Sequence, residues 1–352
     1  RQVLNSLEKI LLRYHEDNDK LPVLIRIATV YNDAFSDRIE AKLRLDLALD
    51  LKNDYAPALR KLKEIAFLEE DWDAYESMLL RELTSNELGD DKMLLWLEAG
   101  DFYTARKKDD KKSTTYYERV LECDASNYKA LIGLFDICFR AKNWVQAGVC
   151  YDQIVLGMDG ESCKKDFVQR SYRFGVVNEN LNRFKGAAKC YEQATEVDPS
   201  DLMAFEGLVQ VFLKMGEWEK AKGAVELLLL KHDSALAISE RGEFLSLLGD
   251  LCLELGYDGD AIRNYKSVLD MDPNCAAALF ALADFYLGKG SYWVEKGVSY
   301  LERYVITIPV DKRLGFYEQI ADLRIRVLDD VAGGIEALED ATSSENVHSV
   351  SY

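Results

Sequence analysis

The sequence predicts an all-α fold of about nine to ten stacked helix-turn-helix units, and three observations carry that reading. A register marker, small in most copies, recurs at near-even intervals at Ala41, Tyr75, Ser113, Ala147, Ala187, Ala221, Ala261, Gly297 and Gly334. One helical turn beyond each marker lies a bulkier residue: Leu45, Leu79, Tyr117, Tyr151, Tyr191, Val225, Tyr265, Leu301 and Leu338. Only 5 prolines and 21 glycines interrupt 352 residues, while 48% of them are apolar. That composition excludes a collagenous or linker-rich chain and supplies enough apolar surface for a core. A single helix pair cannot bury its own apolar face, so a period of this kind implies neighbours stacked in a line instead of two or three separate domains.

Taken in order, residues 1–21 place Leu4, Leu7, Leu11 and Leu12 at helical spacing, as the second helix of a truncated preceding unit. Units are then expected at 22–55, 56–89, 93–127, 128–161, 168–201, 202–235, 242–275, 276–311 and 313–346, with a polar tail at 347–352. Pro199, Pro273 and Pro309 are placed to stop second helices, because the residue before proline is driven out of the helical region. Trp72, Trp144 and Trp218 fall in the turns inside their units and are read as packing residues. Extra residues fall after every second unit, so the period reads better as a doubled one. The steps from Ala41 to Ser113, Ser113 to Ala187 and Ala187 to Ala261 are nearly equal, and the last two are identical. The inserts at 162–167 and 236–241 lack glycine and proline. They predict longer first helices in the third, fifth and seventh units.

The clearest unit reads Leu245-x2-Leu248-Gly249-x2-Cys252, then Ala261-x3-Tyr265 and Pro273. It resembles the tetratricopeptide repeat (TPR), which carries W-x2-L-G-x2-Y, A-x3-F and P at those offsets. Most units lack the family tryptophan, and the first, second and last match poorly. The paired period is similar to that of bacterial TPR arrays. The resemblance implies a right-handed superhelical solenoid over 22–347 and a non-catalytic scaffold that binds a partner segment in a concave groove. First-helix positions 2, 5, 6, 9, 12 and 13 would line that groove.

Position 9 reads Glu64, Asp101, Asp136, Val176, Gln210, Asp250, Asp284 and Asp322, a row that is mostly acidic. Such a row focuses negative potential and favours a Lys/Arg-rich or helical partner segment. Arg140, Tyr172, Arg173 and Phe280 complete the candidate partner-binding set. Position 5 holds Arg60, Leu97, Ile132, Tyr172, Glu206, Ser246 and Phe280, with no lysine. The two-carboxylate clamp of co-chaperone TPRs is therefore not expected. The rival expectation is a structural subunit of a bacterial envelope, motility or secretion machine that self-associates through its ends or docks by its convex face.

Charge and residue chemistry narrow the classes further. With 44 Lys+Arg against 62 Asp+Glu the formal charge is −18. That balance argues against nucleic acid, and so against an RNA-reading pentatricopeptide-type array. The mixed-sign run 107–112 reads as a solvated turn. Three scattered histidines (His15, His232 and His348) and the absence of GxxxxGK[ST], HExxH and GxSxG leave catalysis without candidates. Asp17-Asn18-Asp19 lacks the glycine and distal glutamate of a calcium loop. No metal or other cofactor is expected. Cys123, Cys138, Cys150, Cys163, Cys190, Cys252 and Cys275 form no CxxC or CxxxC pair, which predicts a reducing, cytoplasmic setting. No apolar run is long enough to cross a bilayer, so no membrane span is expected. Arg1 in place of methionine predicts part of a longer or processed polypeptide.

Overall fold

Helix follows helix through a computed structural model that describes residues 2–85, 92–157, 165, 167–232 and 236–349, with side chains to residue 342. Contact density divides the chain into two compact units, Arg1–Lys165 and Asp166–Tyr352. The first holds α1 (Gln2–Leu11), α2 (Asp17–Phe35), α3 (Arg38–Leu51), α4 (Ala56–Leu68), α5 (Trp72–Thr84), α6 (Lys92–Phe102), α7 (Asp110–Cys123), α8 (Tyr128–Arg140) and α9 (Trp144–Leu156). The second holds α10 (Ser171–Asn180), α11 (Phe184–Val197), α12 (Leu202–Met215), α13 (Trp218–His232), α14 (Ile238–Glu254), α15 (Asp258–Met271), α16 (Ala276–Gly288), α17 (Val294–Thr307), α18 (Leu314–Arg326) and α19 (Val331–Ser349). Even-numbered helices pack as first members of pairs against the odd-numbered helix that follows. α1 packs on α2 as a second-type helix would.

The turn inside each pair has one solution, repeated. Among the described residues, positive φ falls once in each such turn, at Ser36, Glu70, Lys108, Lys142, Asn182, Gly216, Gly256, Gly290 and Asp329. A left-handed residue ends a helix by turning its last N–H groups back onto free carbonyls. Asp71 N–H donates to the Ala66 carbonyl at 2.9 Å, and Asn143 N–H to the Cys138 carbonyl at 2.9 Å. In the first unit the next residue is always an N-cap. Asp37, Asp71, Asp109 and Asn143 accept from the N–H groups of Glu40, Ala74, Lys112 and Gln146 at 3.0 to 3.3 Å. Trp72 and Trp144 follow those caps directly, and their rings pack on Phe67 and Phe139 at centroid distances of 5.6 and 5.8 Å.

All the register markers are buried. Their bulky partners are buried too, apart from half-buried Tyr151 and exposed Leu338. In α19 the core-facing residues are Gly334, Ala337 and Ala341, so Leu338 turns outward at 42% exposure. Second helices α11, α15 and α17 stop just ahead of Pro199, Pro273 and Pro309. α2 begins at Asp17, ahead of the expected start at 22, and carries Pro22 inside it. That proline forgoes one helical hydrogen bond early in the helix. The insert at 236–241 does lengthen its helix: α14 has 17 residues against 14 in α12. Most of the 162–167 insert, Cys163 included, lies outside the described residues. In the third pair the extra length after α6 is a π turn, Tyr103–Lys107.

The doubled period has a packing counterpart. Tyr117 of α7 lies between Gly100 of its own first helix and Gly133 of the next. A Cβ on Gly100 would sit 2.5 Å from the Tyr117 ring, and one on Gly133 would run into the same ring from the other side. One doubled period on, Tyr191 fills the same space between Gly175 and Gly207, with would-be Cβ contacts of 2.6 Å on both sides. After a further doubled period, Tyr265 lies against Gly249 at 2.7 Å. Real Cβ atoms do not approach a ring so closely, so each glycine is a condition of the ring's place in the core. Gly133→Ala is expected to destabilise the chain by about 1–3 kcal/mol in denaturant unfolding, the usual cost of overpacking. Tyr117→Leu in the same chain should recover part of that loss.

Candidate functional site

Two grooves are built from the first-helix positions that the repeat register marks as inward-facing. The groove in the first unit, about 420 Å³, is lined by Leu94, Leu97, Glu98, Asp101 and Ala105, with Phe67, Trp72 and Tyr75 from the preceding pair and Lys129 from the following one. Arg106, carried on the π turn, lies over the Trp72 ring at 4.3 Å, a cation–π contact. Glu98 accepts from the Tyr75 hydroxyl at 2.5 Å and lies 2.8 Å from Lys63 Nζ. Lys63 also bonds Glu82, a fully buried carboxylate that pairs with Arg60 as well, at 2.8 and 2.6 Å. A buried carboxylate is tolerable only when its lone pairs are matched, as these are. Acids and cations share the lining of this groove.

The groove in the second unit differs in charge. It encloses about 510 Å³ between α14, the end of α15 and the start of α16. Glu243, Asp250 and Asp272 bring three carboxylates to it, over Leu247, Val268 and Met271. Ser239 and Ser246 add hydroxyls. Among the described residues that line it, none is basic.

The structure scatters the other predicted residues. Asp101 lines the first groove and Asp250 the second. Both are already bonded to the core: Tyr117 donates to Asp101 at 2.7 Å and Tyr265 to Asp250 at 2.5 Å. In the fifth pair the same bond comes from Tyr191 to Glu179 at 2.8 Å, because position 9 there is Val176. Glu64 pairs with Lys61 at 2.7 Å, and Asp322 with Arg326 at 2.6 Å. Asp136 is half-buried, and Asp284 and Arg173 are exposed. Arg140 donates to Asp110 at 2.6 Å, so it is paired within the fold. Tyr172 is half-buried with its ring 6.0 Å from Tyr191. Phe280, at 42% exposure, packs on Tyr304 and Phe316 at 5.1 and 6.3 Å. Glu98, Glu243 and Asp272 escape the position-9 row. The first two occupy positions 6 and 2, so reading those positions as closely as position 9 finds them. Asp272 lies just past the end of a second helix, where no first-helix register points.

Comparison with known proteins bears on the repeat itself. The family model described as tetratricopeptide repeat matches residues 172–234 and 259–292. Those two stretches carry tetratricopeptide repeats. A human relative, tetratricopeptide repeat protein 6, is 24% identical over 120 residues, which are 34% of this chain and 22% of the relative. Among solved structures, that of YrrB, described as a TPR protein with an unusual peptide-binding site, is 14% identical with a TM-score of 0.43. The match covers 55% of this chain and 94% of the YrrB chain. The C-terminal part of a TPR repeat-containing protein from Cytophaga hutchinsonii is 13% identical with a TM-score of 0.48, covering 73% and 99%. The matched stretches include Tyr191 and Tyr265, and the second of them supplies Val268, Met271, Asp272, Cys275 and Ala277 to the second groove. No described helix of this chain is long and apolar enough to cross a membrane.

The buried tyrosines couple the core to pH. Burial first, then the hydrogen bond to a carboxylate, pushes the Tyr117, Tyr191 and Tyr265 phenols well above their ordinary value. A raised folded-state value gives stability that is whole below the unfolded tyrosine range, near pH 10, and is lost as pH rises above it. Absorbance titration is expected to show these phenols ionising only as the fold melts, after the exposed tyrosines. Tyr265→Phe should cost about 1 kcal/mol at neutral pH and make the alkaline loss shallower.

Proposed function

We propose that this TPR chain is a non-catalytic scaffold that binds a Lys- or Arg-bearing protein segment in the groove between residues 238 and 277. The observation that carries the reading is the lining itself: three carboxylates without a basic side chain, over an apolar floor. Such a surface accommodates the aliphatic stem of lysine or arginine while its charged end meets carboxylates. The volume is in the range of ligand clefts, about 300–1,000 Å³. The groove in the first unit supports a different contact, since Arg106 and Lys129 offset Glu98 and Asp101 and the floor is aromatic.

Fluorescence anisotropy with a labelled Lys/Arg-rich peptide tests the reading. Affinity should fall as ionic strength rises. Glu243→Lys combined with Asp272→Lys should weaken it by about tenfold or more, tenfold being about 1.4 kcal/mol. These positions avoid Asp250, whose carboxylate also holds Tyr265. Unchanged affinity in the double variant would rule the groove out.

The second reading, docking by an end of the array, has one observation behind it. α19 exposes Val331, Ile335 and Leu338, which share one helix face. Under this reading light scattering should give a mass that rises with concentration, and Ile335→Asp should abolish the rise. A single monomer mass at all concentrations would dispose of it.

A further inference from the structure

Positions 11 and 23 of a repeat face each other across the helix pair, and this chain fills them with an unusual set of residues. In 168–201 they are Asn178 and Cys190, and Asn178 Nδ2 lies 4.0 Å from Cys190 Sγ. In 242–275 they are Cys252 and Asn264, with Asn264 Nδ2 3.8 Å from Cys252 Sγ. In 128–161 the same two positions are Cys138 and Cys150. There the register sets two thiols opposite each other, one on α8 and one on α9. We propose that Cys138 and Cys150 form a reversible disulfide that staples α8 to α9 when the chain meets a two-electron oxidant.

The surroundings divide the roles of the two sulphurs. Cys138 is half-buried on α8 and open to a small oxidant, whereas Cys150 is 2% exposed on α9. The neighbouring Cys150 draws the Cys138 thiol below its ordinary value, and greater exposure makes Cys138 the first to meet an oxidant. With a peroxide, Cys138 Sγ attacks one oxygen, the O–O bond breaks, and a sulfenic acid and hydroxide result. Cys150 Sγ then displaces the sulfenic oxygen, its proton leaves with that oxygen as water, and the S–S bond forms. Two thiols lose two electrons and two protons in all, and hydrogen peroxide becomes two waters. A dithiol reverses the step by exchange. The pair is already held together by the left-handed turn at Lys142 and the packing of Trp144 on Phe139.

The test treats the full chain with hydrogen peroxide, quenches it, blocks free thiols with maleimide in denaturant and digests without reduction. Mass spectrometry should find a peptide linked through Cys138 and Cys150, two fewer maleimide adducts, and both effects reversed by dithiothreitol. Oxidation should raise the thermal midpoint of the wild-type chain and leave that of Cys138→Ser where it was. Asn264→Cys supplies an independent arm, since it places a second thiol opposite Cys252 and should give a second linked peptide. Recovery of Cys138 as sulfinic acid beside a free Cys150, or linked to Cys123, would overturn the proposal. So would an Asn264→Cys chain that forms no link to Cys252.

Discussion

A tyrosine ring can lie between two helices only where both leave out a side chain. In this protein that constraint sets the approach of consecutive first helices at Tyr117 and again at Tyr191. Gly100 and Gly133, or Gly175 and Gly207, give up their Cβ atoms so that a second-helix ring occupies the gap. Tyr265 repeats half of the arrangement with Gly249 alone. The phenol is too polar to be buried without a partner, and each of the three finds a first-helix carboxylate. Packing and hydrogen bonding are thus satisfied by one residue type, once in every doubled period.

This has a consequence for the acidic row. Asp101 and Asp250 stand at groove positions, yet each also holds a core tyrosine. Their charge serves the fold before it serves a partner. Glu243 and Asp272 hold no core tyrosine, and the Asp272 carboxylate accepts the N–H of Asn274 at 3.0 Å in the turn that follows it, so they, more than Asp250, can be changed to probe binding. The ion-paired Glu82 shows the cost of the opposite choice: a fully buried carboxylate needed both Arg60 and Lys63. In the first unit, cations drawn close to the groove leave it balanced in charge, while the second groove remains acidic.

The thiol pair follows from the same regularity. A repeat places equivalent positions in equivalent contacts, so a cysteine at one position meets whatever occupies the other. Asparagine fills one of the two places in the pairs at 168–201 and 242–275, and cysteine fills both at 128–161. The left-handed residue that ends each first helix makes the facing of positions 11 and 23 reproducible, because it fixes how the second helix returns.

The sequence alone determined the all-α class and the recurrence of paired helices. These depend on local rules: the spacing of small and bulky residues, proline after three of the second helices and, in the first unit, Asp or Asn before them. Gly249 and Tyr265 were legible as motif, although what the glycine was for was not. Partners distant in sequence were decided by tertiary structure. Tyr117 with Gly133 and Arg140 with Asp110 meet, and Asp272 and Glu243 come to one groove, only when separate helices are packed, and no local periodicity encodes that. The outward turn of Leu338 has the same origin, since register names a residue but packing chooses which neighbour takes the core. The absence of a CxxC motif correctly described the chain's local order and missed Cys138 and Cys150. They stand on successive helices, too far apart along the chain for any short motif, and one hairpin sets them opposite each other.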